Sequence, residues 1–292
     1  MQSGFVHPEY LVTTDWLAQH LSDPGVRIVD CTTHLPPLPD FSRYDVVSGR
    51  ADFEKAHIPG ATFIDLEHDL STPHPRLHFM LCSPEHFAAA MSRCGIGNDT
   101  RVVTYSTANH WWATRLWWML RVFGHDRASV LDGGFQKWQR EGRPVESGPG
   151  KPGAPVRFTP DFRPDLVAAK EDVLAAIGRQ ESCTVNALRR EQHAGTGGVY
   201  YGRRGHITGS INIPAVEHIG QDNTFKSADE LRALFAPALA KPEVITYCGG
   251  GIAATSVALS LAMLGYDQVK VYDNSLTEWA ADVSLPMETG SI

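Results

Sequence analysis

The chain has 292 residues, 42% of them hydrophobic and 20% charged, with a formal net charge of -7. That length suits about two soluble domains, and the acidic balance speaks against nucleic acid or an anionic membrane as a partner. No apolar run approaches the ~18 residues of a membrane span, and the opening MQSGFVHPEY has neither the basic nor the apolar region of a signal peptide.

Taken in chain order, Val26-Arg27-Ile28-Val29-Asp30 reads as a buried strand and His57-Ile58-Pro59-Gly60-Ala61 as a turn. A second strand, Val102-Val103-Thr104-Tyr105, leads to a helix ending at Gly124. There follows a strand, Ser129-Val130-Leu131-Asp132, closed by Gly133-Gly134 and Trp138. Gly142 to Pro164 is rich in Pro and Gly, lacks periodicity and reads as an extended linker.

The same features then recur: Cys183-Thr184-Val185-Asn186, His206-Ile207-Thr208-Gly209-Ser210, Val244-Ile245-Thr246-Tyr247, a helix ending at Gly265, Val269 to Asp273, and Trp279. His57 and His206 are 149 residues apart, Tyr105 and Tyr247 are 142 apart, and Gly124–Gly265, Asp132–Asp273 and Trp138–Trp279 are each 141 apart. A set of landmarks this long, in one order, identifies a duplicated domain. Short β-branched runs alternating with helical patterns predict an α/β fold, each copy a mostly parallel sheet with helices on both faces. The expected division is residues 1–143, a linker at 144–164, and residues 165–292.

The duplication supplies its own control, because features in both copies belong to the fold and features in one copy are candidates for function. His57 and His206 read as turn formers, and Trp138 and Trp279 as core. Trp111, Trp112, Trp117 and Trp118 read as packing, and His68, His74 and His78 as a solvated loop. Five cysteines at irregular spacing suggest neither a zinc site nor disulfides, hence a reducing, cytoplasmic setting. Cys31, Cys82, Cys94 and Cys183 read as inert buried thiols.

Cys248 differs. Aligned on the tyrosines, it faces Ser106, so the first copy has no thiol there. It sits at a strand tip, followed by Gly249-Gly250-Gly251-Ile252-Ala253 and a helix from about Ala254 to Leu264, where open α/β sheets bind ligands. Backbone N–H groups curled around the sulfur, and the positive helix end behind them, would stabilise a nucleophilic thiolate.

With HIPGA at His57, WWMLRVFGH from Trp117, VLDGGFQKW from Val130, GHITGSINIP from Gly205 and YCGGGIA from Tyr247, the chain resembles the rhodanese superfamily, specifically its tandem-domain thiosulfate and 3-mercaptopyruvate sulfurtransferases. The resemblance covers nearly the whole chain. It implies two rhodanese-like domains, with Ser106 in the non-catalytic first and Cys248 in the catalytic second. It also implies a ping-pong reaction in which Cys248 takes sulfur from a small donor, becomes a persulfide and passes the sulfur on. The acceptor would be cyanide, a small thiol or a protein thiol such as a thioredoxin-like protein, with no metal or organic cofactor.

The loop residues Gly249 to Ala253 would hold the substrate. Members of the thiosulfate type carry basic residues where this chain has Gly249 and Gly250, and those of the mercaptopyruvate type carry a serine at the Gly250 position, so the donor stays open. The family's substrate arginine has its counterpart in Arg189, one position late, beside Arg190. Arg203 beside Arg204 offers a second cation for a carboxylate or oxyanion. A phosphatase on this fold needs Cys-x5-Arg, and Ala254 stands at that arginine's place. The alternative is a non-catalytic sulfur-relay carrier or anion-binding module, separated from an enzyme by turnover with a small donor.

Overall fold

The computed structural model describes residues 4–220, 222–267 and 269–290. Two five-stranded sheets carry the fold. In the first, the spatial order is Leu11–Val12, Ala128–Leu131, Arg101–Tyr105, Val26–Asp30, Thr62–Phe63; in the second it is Val167–Ala168, Val269–Tyr272, Glu243–Tyr247, Ser182–Asn186, Ile211–Asn212. Every pairing in both sheets is parallel. The register repeats as well, Asp30 opposite Tyr105 in the first and Asn186 opposite Tyr247 in the second.

Strands this rich in Val, Ile and Leu read as near-continuous apolar runs because both faces of a parallel sheet are covered. Val102 packs on one face with Phe87, Met91, Leu116 and Leu120, and its neighbour Val103 packs on the other with Leu17, Phe53, Phe135 and Trp138. The helices supplying these residues, Pro84–Arg93 and Trp111–Val122 against Thr14–Gln19, Arg50–Lys55 and Gly134–Arg140, therefore flank the sheet on both sides.

The duplicated landmarks have duplicated work. The hydroxyls of Tyr105 and Tyr247 accept hydrogen bonds from the N–H groups of Ile58 and Ile207, 3.3 and 3.0 Å away. His57 Nδ1 pairs with the carbonyl of Phe53, and His206 Nδ1 with that of His193, each at 2.7 Å. Trp138 and Trp279 donate to the carbonyls of Pro144 and Pro286. These residues shape turns and core, as the repeat implies.

Between the sheets, residues 151–163 form no regular element and run along the first domain. Asp161 and Arg163 donate to the carbonyls of Phe123 and Val122, at 3.0 and 2.8 Å, and the Arg163 guanidinium pairs with Asp126 through two 2.7 Å bonds.

The domains meet along Trp111–Val122 and Ala254–Met263. The second helix is buried on every side, which is why its sequence is apolar all round. The hydroxyls of Thr114 and Thr255, related by the repeat, meet across this joint at 2.8 Å. On either side the repeated aspartates reach across: Asp273 accepts the N–H of Leu81 and Asp132 that of Phe225, both at 2.8 Å.

Candidate active site

Cys248 follows the central strand Glu243–Tyr247 and precedes the helix Ala254–Met263. The six connecting residues, Cys248 to Ala253, compare with five in the first domain, Ser106 to His110, so the glycine-bearing loop is the longer one. Its shape is set from behind. The hydroxyl of Ser275 accepts the N–H groups of Cys248 at 3.0 Å and Gly251 at 3.1 Å, and donates to the carbonyl of Tyr272 at 2.7 Å.

Ser275 has φ +49, a backbone region that costs a side-chain-bearing residue about 1 kcal/mol or more and marks functional sites. The repeat places Gly134, φ +58, at the matching position of the first domain. The strained serine therefore occurs only behind the thiol. The carbonyls of Cys248 and Gly249 accept from Leu276 and Thr277. The N–H groups of Cys248 and Gly251 are thus turned to Ser275 rather than to the sulfur. Those of Gly249, Gly250, Ile252 and Ala253 have no protein acceptor among the described residues, and with the uncapped helix start behind them they form a nest for an anion.

The three loop glycines are not equivalent. A Cβ on Gly249 would lie 2.0 Å from Cζ of Tyr201, and one on Gly251, φ +74, would lie 2.3 Å from the carbonyl oxygen of Asp273. At Gly250 the nearest heavy atom is the His78 carbonyl oxygen, 4.0 Å away, so that position faces open cleft. Gly249→Ala is expected to lower kcat/KM about 100-fold, because displacing a catalytic loop by about 1 Å costs that much. Gly250→Ala should cost at least about tenfold less, since no atom must move. Steady-state kinetics on the two variants, with circular dichroism to confirm folding, checks the contrast.

Cys248 lies at the floor of a cleft of about 480 Å³ between the domains. Gly249, Gly250, Ile252, Ala253, Leu188, Arg189 and Tyr201 line it from the second domain. The first domain contributes Arg43, Tyr44, Arg76, His78, Trp111 and Trp112. Among the described lining residues there is no Asp or Glu. In a chain of net charge -7, a cleft with three arginines and no carboxylate selects anions. The rings of His34 and His78, which line the cleft, pair at 2.8 and 2.7 Å with Asp52 and Glu67, which do not.

A further arginine, this one buried, braces the site. Arg115, 1% exposed, reaches from the first domain to the carbonyls of Phe79 and Gly251, at 2.5 and 3.2 Å, and to Asp273 Oδ1 at 2.5 Å. Its plane also lies over the Trp118 ring, 4.8 Å from the centroid. The loop after Cys248 is therefore held by the domain that carries Ser106 at the matching place.

Arg189 stands in the cleft as the sequence suggests, and Gly249, Gly250, Ile252 and Ala253 line it. Gly251 does not. Its N–H and carbonyl are committed to Ser275 and Arg115, so its part is to shape the loop. Arg203 must also be corrected. It lies outside the cleft, its guanidinium donating to the carbonyls of Trp279, Ala280, Asp282 and Leu285 at 2.8–3.2 Å, where it ties down the C-terminal segment.

His78, expected in a solvated loop, reaches the cleft, as do Trp111 and Trp112; Trp117 and Trp118 are core. In the first domain the Ser106 hydroxyl is spent on the carbonyl of Asn109 at 2.6 Å. The remaining cysteines suit their inert reading: burial pushes the thiols of Cys82, Cys94 and Cys183 up to about 11 and that of Cys31 well above its ordinary value.

A family model described as a rhodanese-like domain matches residues 13–141 and again 186–282. The chain is 36% identical over 305 aligned positions to the sulfur carrier protein TtuD of Thermus thermophilus, covering 98% of this chain and 99% of that one. It is 36% identical over 281 positions to the thiosulfate sulfurtransferase of Cricetulus griseus, covering 92% and 91%. The crystal structure of the 3-mercaptopyruvate sulfotransferase SseA from Escherichia coli matches with a TM-score of 0.79 at 34% identity, covering 91% of this chain and 98% of that one.

Proposed function

This chain belongs to the rhodanese-like domain family, whose unit it carries twice, and we propose that it is a sulfurtransferase that moves a sulfane sulfur from thiosulfate or 3-mercaptopyruvate through a Cys248 persulfide. The proposal takes residues 1–143 as a non-catalytic domain, 144–164 as linker and 165–292 as the catalytic domain. One observation carries it. A single thiol, set among unpartnered loop N–H groups, lies at the floor of a cleft with three arginines and no carboxylate among its described lining.

With thiosulfate, the Cys248 thiolate attacks the outer sulfur, the S–S bond of the donor breaks, and sulfite leaves with the bonding pair. Three negative charges enter the step and three leave it, one on the new persulfide and two on sulfite. With 3-mercaptopyruvate the C–S bond breaks, and the thiol proton passes to the enolate carbon to give pyruvate. In both cases the N–H groups of Gly249, Gly250, Ile252 and Ala253 hold the terminal sulfur's charge, and they need no reorganisation as it develops.

Arg189 is read as the cation for the donor's oxyanion. Its guanidinium makes no hydrogen bond or ion pair among the described residues, leaving it available to the ligand. Arg189→Met is expected to raise KM for an anionic donor about tenfold, the worth of one charge-assisted contact. Initial-rate kinetics checks this, and an unchanged KM counts against the assignment.

The test of the reading as a whole is intact mass spectrometry after brief exposure to each donor, beside Cys248→Ser. A relay carrier is the second reading, favoured by the likeness to a protein named a sulfur carrier. It predicts loading from a partner protein and none from either small donor.

A further inference from the structure

The cleft holds far more than the proposed donors fill. A five-atom thiosulfate displaces roughly three or four waters at about 30 Å³ each, whereas about 480 Å³ is open here, the size of pockets that take organic ligands of about 300 Å³ and upward. The surplus is rimmed by arginines of the first domain on two separate segments.

Arg43 rides on a hairpin closed by Thr33–His34 against Val47–Ser48 and again by Pro37 against Tyr44. Its tip crosses to the catalytic domain. The carbonyl of Phe41, φ +55, accepts the N–H of Tyr200 at 3.2 Å, and the Tyr44 ring stands 6.4 Å from that of Tyr201, the ring that covers Gly249. Arg76 rides on the segment between Ser71 and Leu81, closed by their bridge. The matching bridge of the second domain, Ile219 to Phe225, spans a shorter loop. His74 Nδ1 accepts the N–H groups of Arg76 and Leu77, at 3.2 and 2.9 Å, which fixes the turn that presents Arg76.

Neither guanidinium makes a hydrogen bond or ion pair among the described residues, and below them Leu35, Val46 and Trp111 give apolar walls down to the thiol. Two exposed cations of the first domain, sharing a roomy cleft with Arg189, suit a ligand with its own carboxylates and a body between them and the sulfur.

We propose that Arg43 and Arg76 form a second anion subsite that receives the carboxylates of a tripeptide-sized organic thiol, the acceptor of the sulfur. This rests on the persulfide reading above. In the step the acceptor thiolate attacks the terminal sulfur of the Cys248 persulfide, a new S–S bond forms as the old one breaks, and the pair returns to Cys248 as thiolate. One organic persulfide leaves, and no oxidant or reductant is consumed.

The test uses persulfide-loaded protein in single turnover, with glutathione, its diethyl ester and 2-mercaptoethanol as probes. Glutathione is expected to remove the sulfur about tenfold faster than its ester at low concentration, the ratio falling near one in the double variant Arg43→Met/Arg76→Met. Equal rates for acid and ester in the unaltered protein, or a preference that survives the double variant, overturn the subsite.

If neither small donor loads the protein, the small-donor reading fails by itself. The subsite is then judged by calorimetric binding of S-methylglutathione and its diester to the unloaded protein. A preference for the acid that the double variant loses supports the subsite, and equal binding overturns it.

Discussion

Cys248→Ser is expected to lower sulfur transfer by roughly four orders of magnitude or more, the scale seen when a covalent nucleophile is removed, with the fold intact. A hydroxyl is close to a thiol in size, and the loop is shaped by Ser275, Arg115 and Thr277 rather than by the sulfur. Intact mass reads the result. Unaltered protein gains about 32 Da, one sulfur atom, from a competent donor, and the variant gains nothing. A gain that persists in the variant would place the sulfur on another cysteine. The high, burial-raised thiols of Cys31, Cys82, Cys94 and Cys183 speak against any of the four.

Arg115→Met carries the largest expected effect on stability. The change leaves Asp273 without its cation beside the N–H of Leu81, and the carbonyls of Phe79 and Gly251 without a donor. Breaking a buried pair by removing one partner costs about 3–5 kcal/mol, which lowers Tm by roughly 10 °C in a chain of this size. Arg115→Lys should recover little, because one ammonium cannot reproduce a planar fork aimed at three acceptors.

Arg163→Met makes the control, since it breaks an exposed pair with Asp126 and should cost under about 1 kcal/mol. Thermal and urea unfolding of the three variants decides the matter. A loss for Arg115→Met no larger than that for Arg163→Met would refute the bracing role.

Much of this was legible in the chain. The repeat placed the strands, the HIPG and HITG turns and the paired tryptophans, because those landmarks are local and their periodicity is strong. It also singled out Cys248, since only one copy carries the thiol. Arg43 and Arg76 were not legible as site residues: they sit on a hairpin and a loop of the first domain, which share a cleft with Cys248 only when one domain docks on the other.

Yet a signal was present. From the HIPG histidine to the shared tyrosine the first half spans seven residues more than the second, the offset falling from 149 to 142, and the loop that carries Arg76 and His78 lies within that stretch. Ser275 was legible too, opposite Gly134, had the glycines been compared along with the cysteine. Arg203 misled because an Arg-Arg pair beside a conspicuous histidine looks like a substrate site, while the carbonyls it binds, from Trp279 to Leu285, lie about 80 residues downstream.

The crossed bonds of Asp132 and Asp273 bear on how such a chain can be inherited. A duplicate that loses its reactive group is usually free to decay or be discarded. Here each copy satisfies backbone groups of the other, and Arg115 of the silent copy holds the working loop of its sibling. Neither half can be shed or exchanged without orphaning buried polar atoms in what is left. The pair is therefore held as a single unit, because each copy supplies the partners of buried polar atoms in the other.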